Sequence, residues 1–314
     1  MRHIALAIAA LAASMTCPTL ALAASYNILA DVSNYSARLA GAGAGDTVTL
    51  QPGDYGARGV AWRGLSKRTF NPPLTIVATG ASFLGQWYNT DLVGVKIVNG
   101  SFPGGFRIDR GADIAFDGPT FLAPQGSTAT ALMLNGVLRA SLRNARFGGY
   151  RMGLVATAPD ALTIENTSCT AMRSDCVQIT RGKNILIDGL DCRMLWTAYP
   201  GEHGDCLQGV SVWSLPVASV GWTIRNVEAS GAAQGVFLAD GYYDRVTISG
   251  VKTSLSMVRA VSLDGTNSAV RDVVVSTGQG ATAQSNVQLG PQVSRCNISV
   301  AAWGTKPAIT SPAC

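Results

Sequence analysis

The chain has 314 residues with 14% charged, against roughly 25% in an average soluble domain, and it carries 35 glycines. The formal net charge is +5, spread without a basic patch interleaved with aromatics, so nucleic acid is not an expected partner. Runs of Leu, Glu, Lys and Ala at helical spacing are missing after the N-terminus, and abundant Gly, Val, Ser, Thr and Asn suit short strands and tight turns instead.

Residues 1–24 have the three parts of an export signal: MRH as a basic start, IALAIAALAA as an apolar run, and TLALAAS as a small-residue cleavage region ending near Ala23 or Ala24. The apolar run is too short to span a membrane, and no later stretch is long and charge-free enough, so no membrane span is expected. A lipid anchor on Cys17 ranks below plain export, because the preceding SMT lacks the pattern such anchors use. Residues 25–314 are expected to form one secreted or periplasmic domain. Six cysteines remain in it, Cys169, Cys176, Cys192, Cys206, Cys296 and Cys314, which in an exported chain read as disulfides.

The mature chain opens with GDTVTL, an alternating strand, and PGDYG, a turn. A short pattern then recurs: an apolar strand, an Asn, Asp or Gly, and a second apolar stretch. It reads VKIVNG, IAFDGP, ASLRNA, LTIENT, ILIDGL, WTIRNV, VTISGV and CNISVA. The central residues Ile97, Phe116, Leu142, Ile164 and Ile187 follow one another at 19, 26, 22 and 23 residues; steps of 37 to Ile224 and 24 to Ile248 follow. A period in the low twenties with several short strands per unit predicts a solenoid. A second strand family lies about a dozen residues after the first, in GFRIDRG, TALMLNG, MGLVAT, SDCVQIT, GDCLQGV, QGVFLAD, RAVSLDG and SNVQLG. In it Val177 and Ile179, Leu207 and Gly209, Val236 and Leu238, and Val261 and Leu263 share the parity that faces a core. The opening segment resembles the first coil of pectate-lyase-like proteins, and that resemblance implies an all-β, single-domain, right-handed parallel β-helix over most of the mature chain.

The one long step, from Ile187 to Ile224, carries insertions around 188–223: LWTAYPGEHG and SVWSLPVASVG. They bring Trp196, Tyr199, Trp213 and Trp222 into one coil, where flat rings with polar tips suit sugars. His203, the sole histidine after the signal, stands two residues before Asp205. Aligning SDCVQI with GDCLQG places Asp175 beside Asp205 one coil away, about 5 Å apart. Two acids that close couple, so one can serve as acid and the other as base, and such a separation favours the retaining geometry of glycoside cleavage. The same pair also reads as a calcium site or as two turn caps. Gln178, Gln208 and Gln288 form an outward row that would bond sugar hydroxyls or one another. Arg181 suits a substrate carboxylate, and Arg259 falls in the column of Asp175 and Asp205. Asp240 and Asp264, in ADG and LDG, read as turn residues. The cysteines are expected to pair as Cys169–Cys192, Cys176–Cys206 and Cys296–Cys314 from their matching coil positions.

SDCVQI also resembles the DDC-V-x-I segment of the polygalacturonase family, and GEHGDCLQGVS resembles its G-H-G segment one coil later. Ser174 stands where that family has its first aspartate, and its Asn–Thr–Asp and Arg–Ile–Lys segments have no counterpart. The resemblance implies a similar fold, and that family's chemistry does not carry over residue by residue; the residues themselves point to a polysaccharide-cleaving enzyme in which Asp175 and Asp205 share the acid–base work and His203 orients or protonates, with no cofactor. Two other readings stay open. One is a uronate lyase or epimerase, for which Arg181, Lys183 or Arg259 is the base and calcium is held by Asp175 and Asp205. The other is a non-catalytic polysaccharide-binding β-helix. Nothing in the sequence signals oligomerisation, so a monomer is expected.

Overall fold

The computed structural model describes residues 23–29, 35–56, 58–124, 127–195, 204–210, 219–231, 234–255, 259–277, 286–301 and 309–314. They form a right-handed parallel β-helix of about 10 turns, 68% strand and 2% helix. Each coil lays strands on three faces, and each face is a parallel ladder running along the axis.

Face one carries the column that the sequence period marks. Val48, Ile76, Ile97, Phe116, Leu142, Ile164, Ile187, Ile224, Ile248 and Val270 are register partners from coil to coil. All are buried. No single coil could bury such a residue on both sides; stacking does so, and each fully buried Ile or Leu stabilises the solenoid by about 1.5–3 kcal/mol relative to exposure.

The residue after each face-one strand turns the chain toward face two, and it adopts the left-handed conformation. Asn99, Asn144, Asn166, Asn226 and Asn297 have φ between 49° and 60°, and Gly118, Gly189 and Gly250 occupy the same corner at 63–78°. Asn tolerates this region better than other side chains, and here its amide has a further partner. Asn144 donates to Asp117 at 2.8 Å, and Asn226 donates to Asp188 at 2.7 Å. The Asn/Asp/Gly punctuation of the repeat is this corner.

On face two, Phe83, Phe102, Phe121 and Phe147 stack along the axis with ring centroids 4.8, 5.4 and 5.0 Å apart. The next residues in the column are Cys169 and then Cys192. On face three, the inward column runs Trp87, Phe106, Leu132, Leu154, Val177, Leu207, Val236, Val261 and Val287. The predicted core parity of the second strand family therefore holds.

The disulfides depart from the expected pairing in two of three cases. Cys169 bonds Cys176 and Cys192 bonds Cys206, with Cα separations of 5.8 and 5.5 Å, while Cys296 bonds Cys314 as expected. Cys169 and Cys192 are register partners. Their Cβ vectors point the same way across a rung about 4.8 Å wide, wider than the usual Cβ–Cβ separation of a disulfide. Each sulfur instead meets a cysteine of its own coil, across the turn from face two to face three.

A helix, Tyr35–Ala40, lies at the N-terminal end and buries Tyr35 and Leu39 against the first coils. At the other end Ile309–Thr310 runs antiparallel along Ser299 and Val300.

Candidate functional site

Strands Val177–Thr180, Asp205–Val210, Gln234–Asp240 and Arg259–Leu263 are consecutive rungs of face three. The turn leading into the first rests on the coil before it: the Arg173 N–H donates to the Tyr150 carbonyl at 3.1 Å and the Ser174 N–H to the Arg151 carbonyl at 2.8 Å. Asp175 ends this turn. Its Oδ1 accepts the backbone N–H of Asp205 at 3.0 Å, while the Cys176 N–H donates to the Asp205 carbonyl at 2.9 Å. Counting back from the partners Val177 and Leu207 makes Asp175 and Asp205 neighbours across one rung, about 4.8 Å. The residue after each aspartate, Cys176 or Cys206, is clamped to face two by a disulfide.

The two side chains point inward, away from the outer face. Asp175 is 4% exposed and Asp205 is 0% exposed. The reason is parity: the alternation that turns Val177 and Leu207 inward also turns the residues two positions earlier inward. The column continues through Gln234, partner of Asp205 and itself buried. Arg259 pairs with Asn286 ahead of a register shift before Val261. Its guanidinium lies 5.0 Å from the Phe237 ring centroid.

The glutamines resolve one of the alternatives. Gln178 Nε2 donates to Gln208 Oε1 at 2.7 Å, so these two bond each other. Gln288 lies three rungs farther on, beyond Phe237 and Ser262, and does not join them. Arg181 occupies a left-handed corner at φ 54°, with its N–H on the Val210 carbonyl at 3.1 Å. Its Nε is buried with no hydrogen-bond partner among the described residues. Lys183 is exposed and opens a face-one strand. Trp222 is a core residue rather than a platform: it is 1% exposed, donates from Nε1 to the Gly182 carbonyl at 2.9 Å, and stands edge-on to Tyr243. His203, Trp196, Tyr199 and Trp213 lie outside the described residues. Among the described residues no group of three or more His, Cys, Asp or Glu is placed to hold a metal ion.

A second polar cluster on face three has no counterpart in the sequence expectations. Tyr88, Arg107 and Met133 are outward register partners, as are Thr90, Asp109 and Asn135. Asp109 accepts from Arg107 at 2.8–3.1 Å, from the Tyr88 hydroxyl at 2.8 Å and from Asn135 at 2.6 Å. Burial pushes its carboxyl up, but the bonds from Arg107, Asn135 and Tyr88 more than offset this and hold it below the usual carboxylate range. The guanidiniums of Arg63 and Arg107 lie 4.5 and 4.9 Å from the Tyr88 ring centroid. The signal was the polar outward parity of WYNT and FRID, which becomes a cluster only once the coil register is known.

Fold and register together define a parallel β-helix. No protein-family profile matches the chain, and no curated protein matches it. Among solved structures it is similar to an endo-xylogalacturonan hydrolase from Aspergillus tubingensis, with a TM-score of 0.58 and 12% identity over 88% of this chain and 91% of that one. PfbA, a surface adhesin of Streptococcus pneumoniae, gives 0.48 and 10% over 91% and 85%. Pectate lyase Pel9A gives 0.37 and 15% over 91% and 81%. The likeness to the hydrolase, at 12% identity, shows a shared fold alone; chemistry has to be argued from the site.

Proposed function

We propose that this protein is an exported enzyme that cleaves the glycosidic bonds of a polysaccharide at the coil of Asp175 and Asp205, whose inward carboxylates hold that coil in its working shape. The observation that carries this reading is the pair itself. Two carboxylates are buried on consecutive rungs, joined by the Asp205 N–H to Asp175 Oδ1 bond at 3.0 Å. Buried aspartates are rare because desolvation penalises their charge. Asp205 also lies in the coil that carries both insertions, with Asp175 in the coil before it, and loops on a rigid scaffold are where such folds hold substrate. His203 and the insertion aromatics Trp196, Tyr199 and Trp213 would orient the sugar chain. The guanidiniums of Arg63 and Arg107, on the same face, suit a polymer carrying carboxylates. Three disulfides fit an oxidising compartment, in keeping with export.

A second reading has an observation of its own. The Asp175 carboxylate already holds a backbone N–H of the next coil, which is a structural task that a non-catalytic polysaccharide-binding β-helix would equally need. Turnover separates the two. Wild type and Asp205→Asn are presented with a panel of acidic and neutral polysaccharides, with and without chelator, and both new reducing ends and unsaturated ends are followed. Cleavage by wild type that Asp205→Asn loses, while keeping its binding, supports the enzyme; the product end then chooses hydrolase or lyase. Binding without cleavage by wild type, unchanged in the variant, overturns it in favour of the binder.

A further inference from the structure

Two adjoining depressions open where face three turns into face one near the C-terminal end, and Asp264 lines both. The larger, about 440 Å³, is walled by Tyr242, Asp244, Thr266 and Gln292 among others. The smaller adds Ser262, Gln288 and Gly290. Asp205 opens its strand whereas Asp264 follows the end of one, two rungs along; the separation is about 17 Å across the face and about 10 Å along the axis. This groove is therefore distinct from the aspartate pair.

Four features of the groove point to a ligand rather than to packing. Tyr242 is 46% exposed, a large flat apolar surface at the mouth. Position 290 is glycine, and a Cβ there would lie 2.2 Å from Asp264 Oδ1, so the missing side chain is what leaves that carboxylate room in the depression. Ser262 is 0% exposed, and its hydroxyl has no hydrogen-bond partner among the described residues. An unpaired buried hydroxyl is costly, and a ligand hydroxyl would recover that cost. Gln288, its register partner, is exposed and offers both a donor and an acceptor.

The charge of the groove selects among sugars. Asp244 accepts from Asn267 at 2.8 Å and from Thr266 at 3.0 Å, and those bonds hold its carboxyl below the ordinary range, so it stays ionised. Arg245 stands 3.5 Å from it on the exposed side. With Asp264 in the same wall, a uronate carboxylate would be repelled, whereas ring hydroxyls are the donors that carboxylates accept.

We propose that this groove is a second carbohydrate site that takes an uncharged pyranose unit, its apolar face on Tyr242 and its hydroxyls on Asp264, Gln288 and Ser262. It rests on the polysaccharide reading above for the class of ligand, but it is tested by binding alone. Calorimetric titration of the intact protein with neutral xylo-, gluco- and galacto-oligosaccharides, and with an oligogalacturonide, is compared with Tyr242→Ala and Asp264→Asn. Thermal unfolding confirms that each variant is folded. Binding of a neutral oligosaccharide, weakened about tenfold or more by Tyr242→Ala and by Asp264→Asn, is the expected result. Wild type that binds no neutral oligosaccharide, or variants that bind it as wild type does, overturns the proposal. So does tighter binding of the oligogalacturonide in this groove, seen as its loss in Tyr242→Ala. An Asp205→Asn protein that loses turnover yet keeps neutral-sugar binding separates this site from the aspartate pair; neutral-sugar binding that disappears with Asp205→Asn overturns the assignment to the groove.

Discussion

Removing the Cys192–Cys206 bond by the double change Cys192→Ala and Cys206→Ala should loosen one rung of the solenoid and leave distant ones intact. The two cysteines are 14 residues apart, so the bond closes a loop for which chain-entropy arguments give about 3 kcal/mol. In a stacked-coil protein each coil contacts only its neighbours, so the loss concentrates on strand Asp205–Val210 instead of spreading along the axis. At about 1.4 kcal/mol per factor of ten, backbone amides of Leu207 and Gln208 should exchange with solvent about a hundredfold faster than in wild type. Amides beside Ile97, several coils away, should change by less than about twofold by the same locality. Hydrogen exchange read by mass spectrometry over peptides from the two regions checks this. Unchanged exchange at 207–208 would show that the bond adds nothing to the rung. Equal acceleration at both places would refute the nearest-neighbour reasoning. The change also reaches the candidate site, because residue 206 follows Asp205 directly, and turnover should fall with the rung.

Two further outcomes follow from the described geometry. Asp109→Asn should destabilise by about 1 kcal/mol at neutral pH, since the carboxylate is mostly buried beside half-exposed Arg107. Its folded value is depressed, so the stabilisation is present above the unfolded value near 4 and fades as pH falls through the folded one; urea midpoints of wild type and variant should converge in acid, and a constant gap would contradict the assignment. Gly235→Ala would set a Cβ 2.1 Å from the Ala260 carbonyl oxygen, in the rung after Asp205, and should cost about 3 kcal/mol in urea unfolding; a near-neutral result would mean that the coil spacing yields easily.

The sequence made the face-one column readable, from Ile97 through Ile248, because inward apolar residues and left-handed Asn or Gly corners recur together. It made the pairing of Asp175 with Asp205 readable for the same reason. Three things needed coordinates. Matching cysteines looked like stacked partners, but parallel side chains do not converge, and only the geometry of the turn brings Cys169 to Cys176. The inward direction of the two aspartates follows from their parity with Val177 and Leu207, a step that the alignment contained but that the turn before Val177 concealed. The Tyr88, Arg107, Asp109 and Asn135 cluster draws its members from three coils, so no linear window contains it.

A parallel solenoid is halfway to a fibre. Its last rung exposes a row of amides and carbonyls in the spacing that a further strand wants, and exposed edges of this kind recruit other chains. The two-residue strand Ile309–Thr310 crosses that edge in the opposite direction. Nearby, Asn297 donates to the Pro312 carbonyl, and Ser311 both donates its N–H to the Ile298 carbonyl and accepts the Ile298 N–H on its hydroxyl. The Cys296–Cys314 bond fastens this short segment in place. A strand adding in parallel to Ser299 and Val300 would have to displace this covalently tethered antiparallel one.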